Sequence, residues 1–214
     1  MAYLGEPVPT VPQPRPRSEH PDRSRPWLTV RTGGARTDEP SGAVLFGRDG
    51  TLLQNVSPNG DPAMVHPAAG VRAAVAALRR AGLALGVLSN QPGVARGLFG
   101  RGQVETVHAR AEALLGAIDV WAVCPHGTRD GCACRMPAPG LVTAACGALG
   151  LPPSRVTVIG CEDTVLAAAL TAGAHAIRLP GATGPMAGRY RLCTPTACPA
   201  AGSPAEAAYL LLRH

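Results

Sequence analysis

Three cysteines and a histidine lie within eleven residues: Cys124, His126, Cys132 and Cys134, in the pattern C-x-H-x5-C-x-C. Thiolates and imidazole suit a borderline-soft divalent cation, and four such ligands close a tetrahedral shell with no position left for water. The spacing therefore predicts a structural Zn²⁺ site, against the alternatives of free thiols or a disulfide. Seven cysteines are an odd count for a disulfide framework. Both points predict a reducing, cytoplasmic setting. Cys146 reads as a core residue, and Cys193 and Cys198 fall in a tail without a partner pattern. A second chemical stretch is Ala-Val-Leu-Phe-Gly-Arg-Asp-Gly-Thr-Leu at 43–52, where an apolar run ends in a turn that carries one carboxylate, Asp49.

These residues need elements to hold them. The chain has 214 residues, enough for one domain plus tails, and 46% of them are hydrophobic but only 3% aromatic. The core is therefore expected to be aliphatic. All 20 basic residues are Arg, and the formal net charge is +6. Basic residues interleaved with aromatics, the mark of single-strand binders, are lacking, so nucleic acid is not an expected partner. No apolar run is long enough to span a membrane, and the first residues carry no export-signal pattern.

Residues 1–41 hold eight Pro and few apolar residues, which predicts a disordered arm able at most to carry a docking motif for a protein partner. From residue 43, short apolar runs alternate with helical patterns. Strands are expected at 43–47, 84–89, 119–123, 155–160 and 175–179, and helices near 68–81, 103–115, 139–149 and 164–172. In the first helix Val71, Val75 and Leu78 share a face. Residues 181–202 read as an irregular tail. A last helix over 204–213 has Ser203 and Glu206 as a capping box, with Ala208, Leu211 and Leu212 facing the core. Repeated strand–helix units predict an α/β, doubly wound parallel sheet, with the domain spanning 42–180 and a tail over 181–214. Ligands of such sheets bind at the carboxyl ends of the strands, where 47–51, 89–93, 124–136 and 160–163 sit. His66 and His108 read as surface or capping residues.

From Ala43 to Pro180 the chain resembles haloacid dehalogenase-like phosphatases, in the branch that acts on histidinol phosphate and D-glycero-D-manno-heptose 1,7-bisphosphate. The matching residues are FGRDGTL (46–52), NGDPAMV (59–65), SNQPGVARG (89–97), CPHGTRDGCACRMPAPG (124–140) and VIG (158–160). The resemblance implies a Rossmann-like sheet with a zinc loop and no large cap domain. It also implies a mechanism in which an Asp takes up a phosphoryl group, helped by Mg²⁺, and water then releases it. The acid/base position is Asp49, whose backbone carbonyl the resemblance also assigns to Mg²⁺. Phosphate is expected on Ser89, Asn90 and Arg135.

Four positions depart from that pattern. The nucleophile position is Gly47, and a Lys position is Met136. The two acidic positions after the fourth expected strand are Cys161 and Val165. Glycine cannot attack phosphorus, and a hard cation is poorly served by a thiol. The resemblance therefore implies a phosphatase fold with impaired chemistry and doubtful Mg²⁺ binding. Such a pseudophosphatase would hold a phosphorylated small molecule, for instance a sugar phosphate, or a partner without turnover. One alternative is a working phosphomonoester hydrolase in which Asp49 attacks and Glu162 or Asp163 replaces the lost metal ligand. Another is a zinc-stabilised interaction module.

Overall fold

The computed structural model describes residues 25–31, 40–55, 59–181 and 198–213. Its strands are β1 (Trp27–Val30), β2 (Ala43–Gly47), β3 (Ala84–Asn90), β4 (Val120–Cys124), β5 (Val156–Gly160) and β6 (His175–Arg178). They form one sheet in the order β1-β4-β3-β2-β5-β6. β2 to β6 run parallel, and β1 joins the edge antiparallel to β4. All five residues of β2 are buried, as expected of a central parallel strand covered on both faces.

The helices are α1 (Val71–Arg80), α2 (Pro92–Ala95), α3 (Arg101–Leu115), α4 (Gly140–Leu149), α5 (Asp163–Ala172) and α6 (Pro204–Leu212). Alternation along β2 divides the core into two. Leu45 points into a cluster with Leu141, Val142, Leu166 and Ala169 of α4 and α5. Val44 and Phe46 point into a cluster with Val71, Val75 and Leu78 of α1, Val107 of α3 and Ala207 of α6. In α1 the buried positions are Val71, Ala74, Val75 and Leu78, the i, i+3, i+4, i+7 stripe of an amphipathic helix. No helix among the described residues is long and apolar enough to cross a membrane.

Four expectations need correction. The 1–41 segment is not wholly an arm, because Trp27–Val30 forms β1. Its backbone hydrogen-bonds to β4, and Leu28 and Trp27 pack on two different hydrophobic clusters. Residues 1–24 and 32–39 lie outside the described residues. The tail is partly ordered along the sheet edge. Arg178 N–H donates to the Pro199 carbonyl at 2.9 Å, and Ala201 N–H donates to the Arg178 carbonyl at 2.9 Å. Residues 182–197, Cys193 among them, lie outside the described part.

The capping box of α6 is displaced by one residue. Ser203 Oγ accepts from Glu206 N–H at 3.1 Å, but the Glu206 carboxylate takes the N–H of Gly202, at 2.7 Å. Leu212 of the expected docking face is exposed, while Pro204, Ala207 and Ala208 are buried. Finally, His108 is no surface residue: it is buried and stacks on Trp121 with ring centroids 3.9 Å apart.

Candidate active site and metal centre

The parallel strands deliver their carboxyl ends to one edge of the sheet, and a pocket of about 40 Å³ opens there. Gly47, Arg48, Asp49 and Thr51 enter it from β2, Leu88, Ser89 and Asn90 from β3, and Cys161, Glu162 and Val165 from the β5–α5 junction. Met136 closes it from the loop after β4. The structure thus brings Gly47, Asp49, Ser89 and Asn90 together with three of the departures from the family pattern, Met136, Cys161 and Val165.

Arg135 is not among the lining residues. Its guanidinium donates to the His126 carbonyl at 3.2 Å, so it braces the cysteine loop. Asn90 lines the pocket but its amide is occupied. Its Nδ2 donates to the Met136 carbonyl at 3.0 Å and its Oδ1 accepts from Met136 N–H at 3.1 Å. This reciprocal pair fastens the cysteine loop to the end of β3.

Asp49 is held from two sides. Arg48 Nε donates to both of its oxygens, at 3.0 and 3.1 Å, and Gln91 Nε2 donates to Oδ2 at 3.2 Å. Gln91 Nε2 also donates to Ser89 Oγ at 2.7 Å. Arg48 is buried, with 2% of its surface exposed. Neither Arg48 nor Gln91 was singled out from the sequence, although both stand inside the motifs that were, between Gly47 and Asp49 and directly after Asn90.

At Gly47 a β-carbon would meet Thr51 Oγ1 at 3.3 Å, Thr51 Cβ at 3.6 Å and Val165 Cγ2 at 3.8 Å, so a side chain fits there only if Thr51 gives by a few tenths of an ångström. Cys161 is more telling. Its N–H donates to Thr51 Oγ1 at 3.1 Å, and its thiol lies 3.8 Å from the Asp49 carbonyl oxygen. Burial raises the pKa of that thiol, so it stays a neutral donor rather than a thiolate ligand. Gly50 has φ +74°, and a β-carbon there would lie 2.8 Å from Cys161 Sγ, so glycine alone suits the turn above this thiol. Asp163 pairs with Arg178 at 2.6 Å and is not among the lining residues. Glu162 lines the pocket and accepts from Thr164 Oγ1 at 3.2 Å. A hard cation wants several oxygen ligands. Here one carboxylate is pinned by Arg48, one position is glycine, one is a neutral thiol and one is valine, so the residues present do not fit Mg²⁺.

The second cluster does fit a metal. The ligand atoms of Cys124, His126, Cys132 and Cys134 all lie within 4.8 Å of one another. Cys124 Sγ is 3.4 Å from His126 Nδ1 and 3.6 Å from Cys132 Sγ, and His126 Nδ1 is 3.1 Å from Cys134 Sγ. Hydrogen bonding from Cys134 lowers the Cys124 thiol to a pKa of about 5, and the same contact with burial raises that of Cys134. Three sulfurs this close cannot all carry negative charge unaided. A dication among them removes the conflict, and four protein ligands leave it no catalytic opening.

No family model matches the chain. Curated relatives do. The D-glycero-beta-D-manno-heptose-1,7-bisphosphate 7-phosphatase of Rhodopseudomonas palustris is 31% identical over 150 residues, covering 65% of this chain and 83% of the relative. That of Pseudomonas putida is 36% identical over 108 residues, covering 49% of this chain and 62% of the relative. Against this and two further relatives, the match spans between 51% and 62% of their length. The crystal structure of D,D-heptose 1,7-bisphosphate phosphatase from Bordetella bronchiseptica, complexed with magnesium and phosphate, superposes with a TM-score of 0.70. It is 28% identical and covers 80% of this chain and 98% of that one. The sheet and the strand-end pocket define a haloacid dehalogenase-like phosphatase fold. Within that superfamily the chain belongs to the heptose bisphosphate phosphatase branch.

Proposed function

We propose that this chain is a pseudophosphatase of the branch: it holds a phosphorylated small molecule or a partner in the old active site and does not hydrolyse it. One observation carries the reading. The nucleophile position is Gly47, and beside it the Cys161 thiol rests on the Asp49 carbonyl, the oxygen that the family resemblance assigns to Mg²⁺. Losing one member of a covalent catalytic unit can cost about 10⁶ in rate. Asp49 is a poor substitute nucleophile, since Arg48 and Gln91 already engage both oxygens.

Sugar phosphate is the ligand class supported by the kinship and by a relative crystallised with magnesium and phosphate. Without a metal, Glu162 opposes a phosphate dianion and Arg48 is already engaged by Asp49, so affinity should fall below that of metal-loaded relatives. Zn²⁺ is our assignment for the cysteine cluster. Tetrahedral Zn–S bonds of about 2.3 Å put neighbouring sulfurs about 3.8 Å apart, close to the 3.6 Å between Cys124 and Cys132. Its role would be to fix the loop that carries Arg135 and Met136. In keeping with that site, a reducing cytoplasmic setting is part of the proposal.

The test is phosphate release with Mg²⁺ from heptose bisphosphate and histidinol phosphate. Wild type is run beside a combined Gly47→Asp, Met136→Lys, Cys161→Asp, Val165→Asp variant. Silence in wild type and turnover in the variant are the expected results. Wild-type release that disappears in Asp49→Asn would overturn the proposal and establish a hydrolase with an altered site.

A further inference from the structure

We propose that β1 is a self-pairing edge: two copies of the chain join antiparallel along it, with Thr29 on the two-fold axis, and two six-stranded sheets become one continuous sheet. The inference is independent of what the pocket does. Three observations carry it: the two edges of the sheet are finished differently, β1 turns a short ladder of backbone groups outward, and one register matches that ladder to itself.

At the β6 edge the chain covers itself. Arg178 N–H donates to the Pro199 carbonyl and the Arg178 carbonyl accepts from Ala201 N–H, both at 2.9 Å. Beyond β1 no strand lies among the described residues. Edge strands are commonly blunted by a charge, a bulge or a proline. Trp27–Val30 contains none of these, and its register with β4 is unbroken. Val30 is 41% exposed.

The ladder fixes which backbone groups are free to pair. Arg31 N–H donates to the Asp119 carbonyl at 2.9 Å, and on the other side of β4 Gln91 N–H donates to the Cys124 carbonyl at 2.7 Å. Alternate residues of an antiparallel strand face the same neighbour. Trp27, Thr29 and Arg31 therefore face β4, and Leu28 and Val30 turn their N–H and C=O outward.

With Thr29 opposite itself on the axis, Leu28 of each copy stands against Val30 of the second copy, and all of these outward groups find partners. Directly opposed residues share a face of the sheet. Leu28 packs on the cluster under α4, so each exposed Val30 gains an apolar neighbour on that face. On the other face Arg31 comes opposite the second copy's Trp27, a cation–aromatic pair. The Arg31 charge is already matched by Glu112 at 3.1 Å. Moving the axis to Leu28 would set Arg25 against Arg31 and bring Pro26, which has no N–H, against Val30. Moving it to Val30 would carry Leu28 past the end of the strand. The interface is small, so dissociation is expected at roughly 10–500 µM. No residue of β1 lines the pocket, and the two-fold reverses strand direction, so the two pockets open at opposite edges of the joined sheet.

The experiment is analytical ultracentrifugation of the full chain from about 5 to 500 µM, across the range of a weak interface. Wild type should pass from monomer to dimer. Thr29 is exposed, so Thr29→Lys and Thr29→Glu leave the fold intact, which circular dichroism checks. Each sets like charges against one another on the axis and should weaken the dimer about tenfold. An equimolar mixture of the two pairs Lys with Glu and should restore association to within about threefold of wild type. Val30→Pro removes an outward N–H and no bond to β4, and should be monomeric with an unchanged spectrum. Wild type that stays monomeric at the highest concentration would overturn the proposal. So would a dimer indifferent to charge at position 29 or to Val30→Pro, or single-charge variants that fail to recover on mixing.

Discussion

His108 shows how a single side chain ties the core to the turn after β2. Burial first, and the Arg48 charge second, lower its pKa from 6.5 to about 3. The ring is therefore neutral where it stacks on Trp121, and Arg48 can carry its charge to Asp49 without a second cation behind it. The unfolded chain takes up the His108 proton near pH 6.5 and the folded chain only near 3. Stability is thus fully present above 6.5 and falls as pH drops through this window, by on the order of 1 kcal/mol per unit. His108→Phe keeps a ring against Trp121 but cannot titrate. Urea unfolding at pH 7 and pH 4.5 should show wild type losing at least 1 kcal/mol more than this variant across the interval. An equal loss in both would mean that His108 is not held neutral. Gly47 makes the complementary point about space. A β-carbon there meets Thr51 Oγ1 at 3.3 Å with Thr51 Cβ and Val165 Cγ2 close behind, and the position is buried, so Gly47→Asp should fold at a cost of about 1–3 kcal/mol. It should release no phosphate alone, because the Cys161 thiol still occupies the Asp49 carbonyl. Turnover by the single variant would show that the metal site survives without a carboxylate at position 161.

Elements were legible in the sequence wherever a run was long and had a period. The five parallel strands and the larger helices fall within a few residues of the expected ranges, because buried parallel strands are continuous apolar runs and each helix carries its stripe. β1 escaped because four residues between Pro26 and the Gly33-Gly34 pair show no period, and the Pro-rich stretch before them argued for an arm. Its only signal was local: Trp, Leu, Thr and Val all favour strands. Arg48 and Gln91 escaped for another reason. Arg48 pairs with its own neighbour Asp49 and Gln91 bonds Ser89 two residues away, contacts that no spacing rule announces, and only the fold brings Gln91 to Asp49. β1 can be tested by truncation. Removing residues 1–24 should leave the melting temperature within about 2 °C of wild type. Removing 1–31 strips the ladder along β4 and exposes the patches under Trp27 and Leu28, and should cost about 2–4 kcal/mol. Equal melting temperatures for the two truncations would make β1 dispensable. The cysteine loop is held through Asn90 as well as through its own ligands. Cys134→Ser should therefore abolish one equivalent of bound zinc, read by metal analysis, and loosen residues 125–137 in hydrogen exchange while β3 and β4 stay protected. Unchanged metal content would refute the assignment of this cluster.

At the scale of the molecule, the two sites present opposite chemistry to a cation. The cysteine cluster presents four ligand atoms within 4.8 Å, while the pocket one loop away presents glycine, thiol and valine around a carboxylate that Arg48 already neutralises. The sheet supports both at its carboxyl edge, the cysteine cluster from β4 and the loop after it, the pocket from β2, β3 and β5. The departures at the pocket therefore need not weaken the fold, and metal linkage can separate the two sites. A ligand that binds only the folded state raises stability by RT ln(1 + [L]/Kd), about 2.7 kcal/mol at a hundred times Kd. For a domain of this size that is a rise in melting temperature of roughly 5–10 °C. With millimolar Mg²⁺, wild type should show no rise beyond an equal ionic strength of NaCl, because no set of hard oxygens awaits the ion. The four-position variant should show the rise, since it returns carboxylates at 47, 161 and 165 to the strand ends. The variant's added charges will also repel one another in the apo state, so its melting temperature without metal should lie below that of wild type, and Mg²⁺ should recover the difference. A wild-type rise that Asp49→Asn removes would mean that Glu162 and Asp49 still gather a metal, and the pocket would then be a working site reached by an unfamiliar set of ligands.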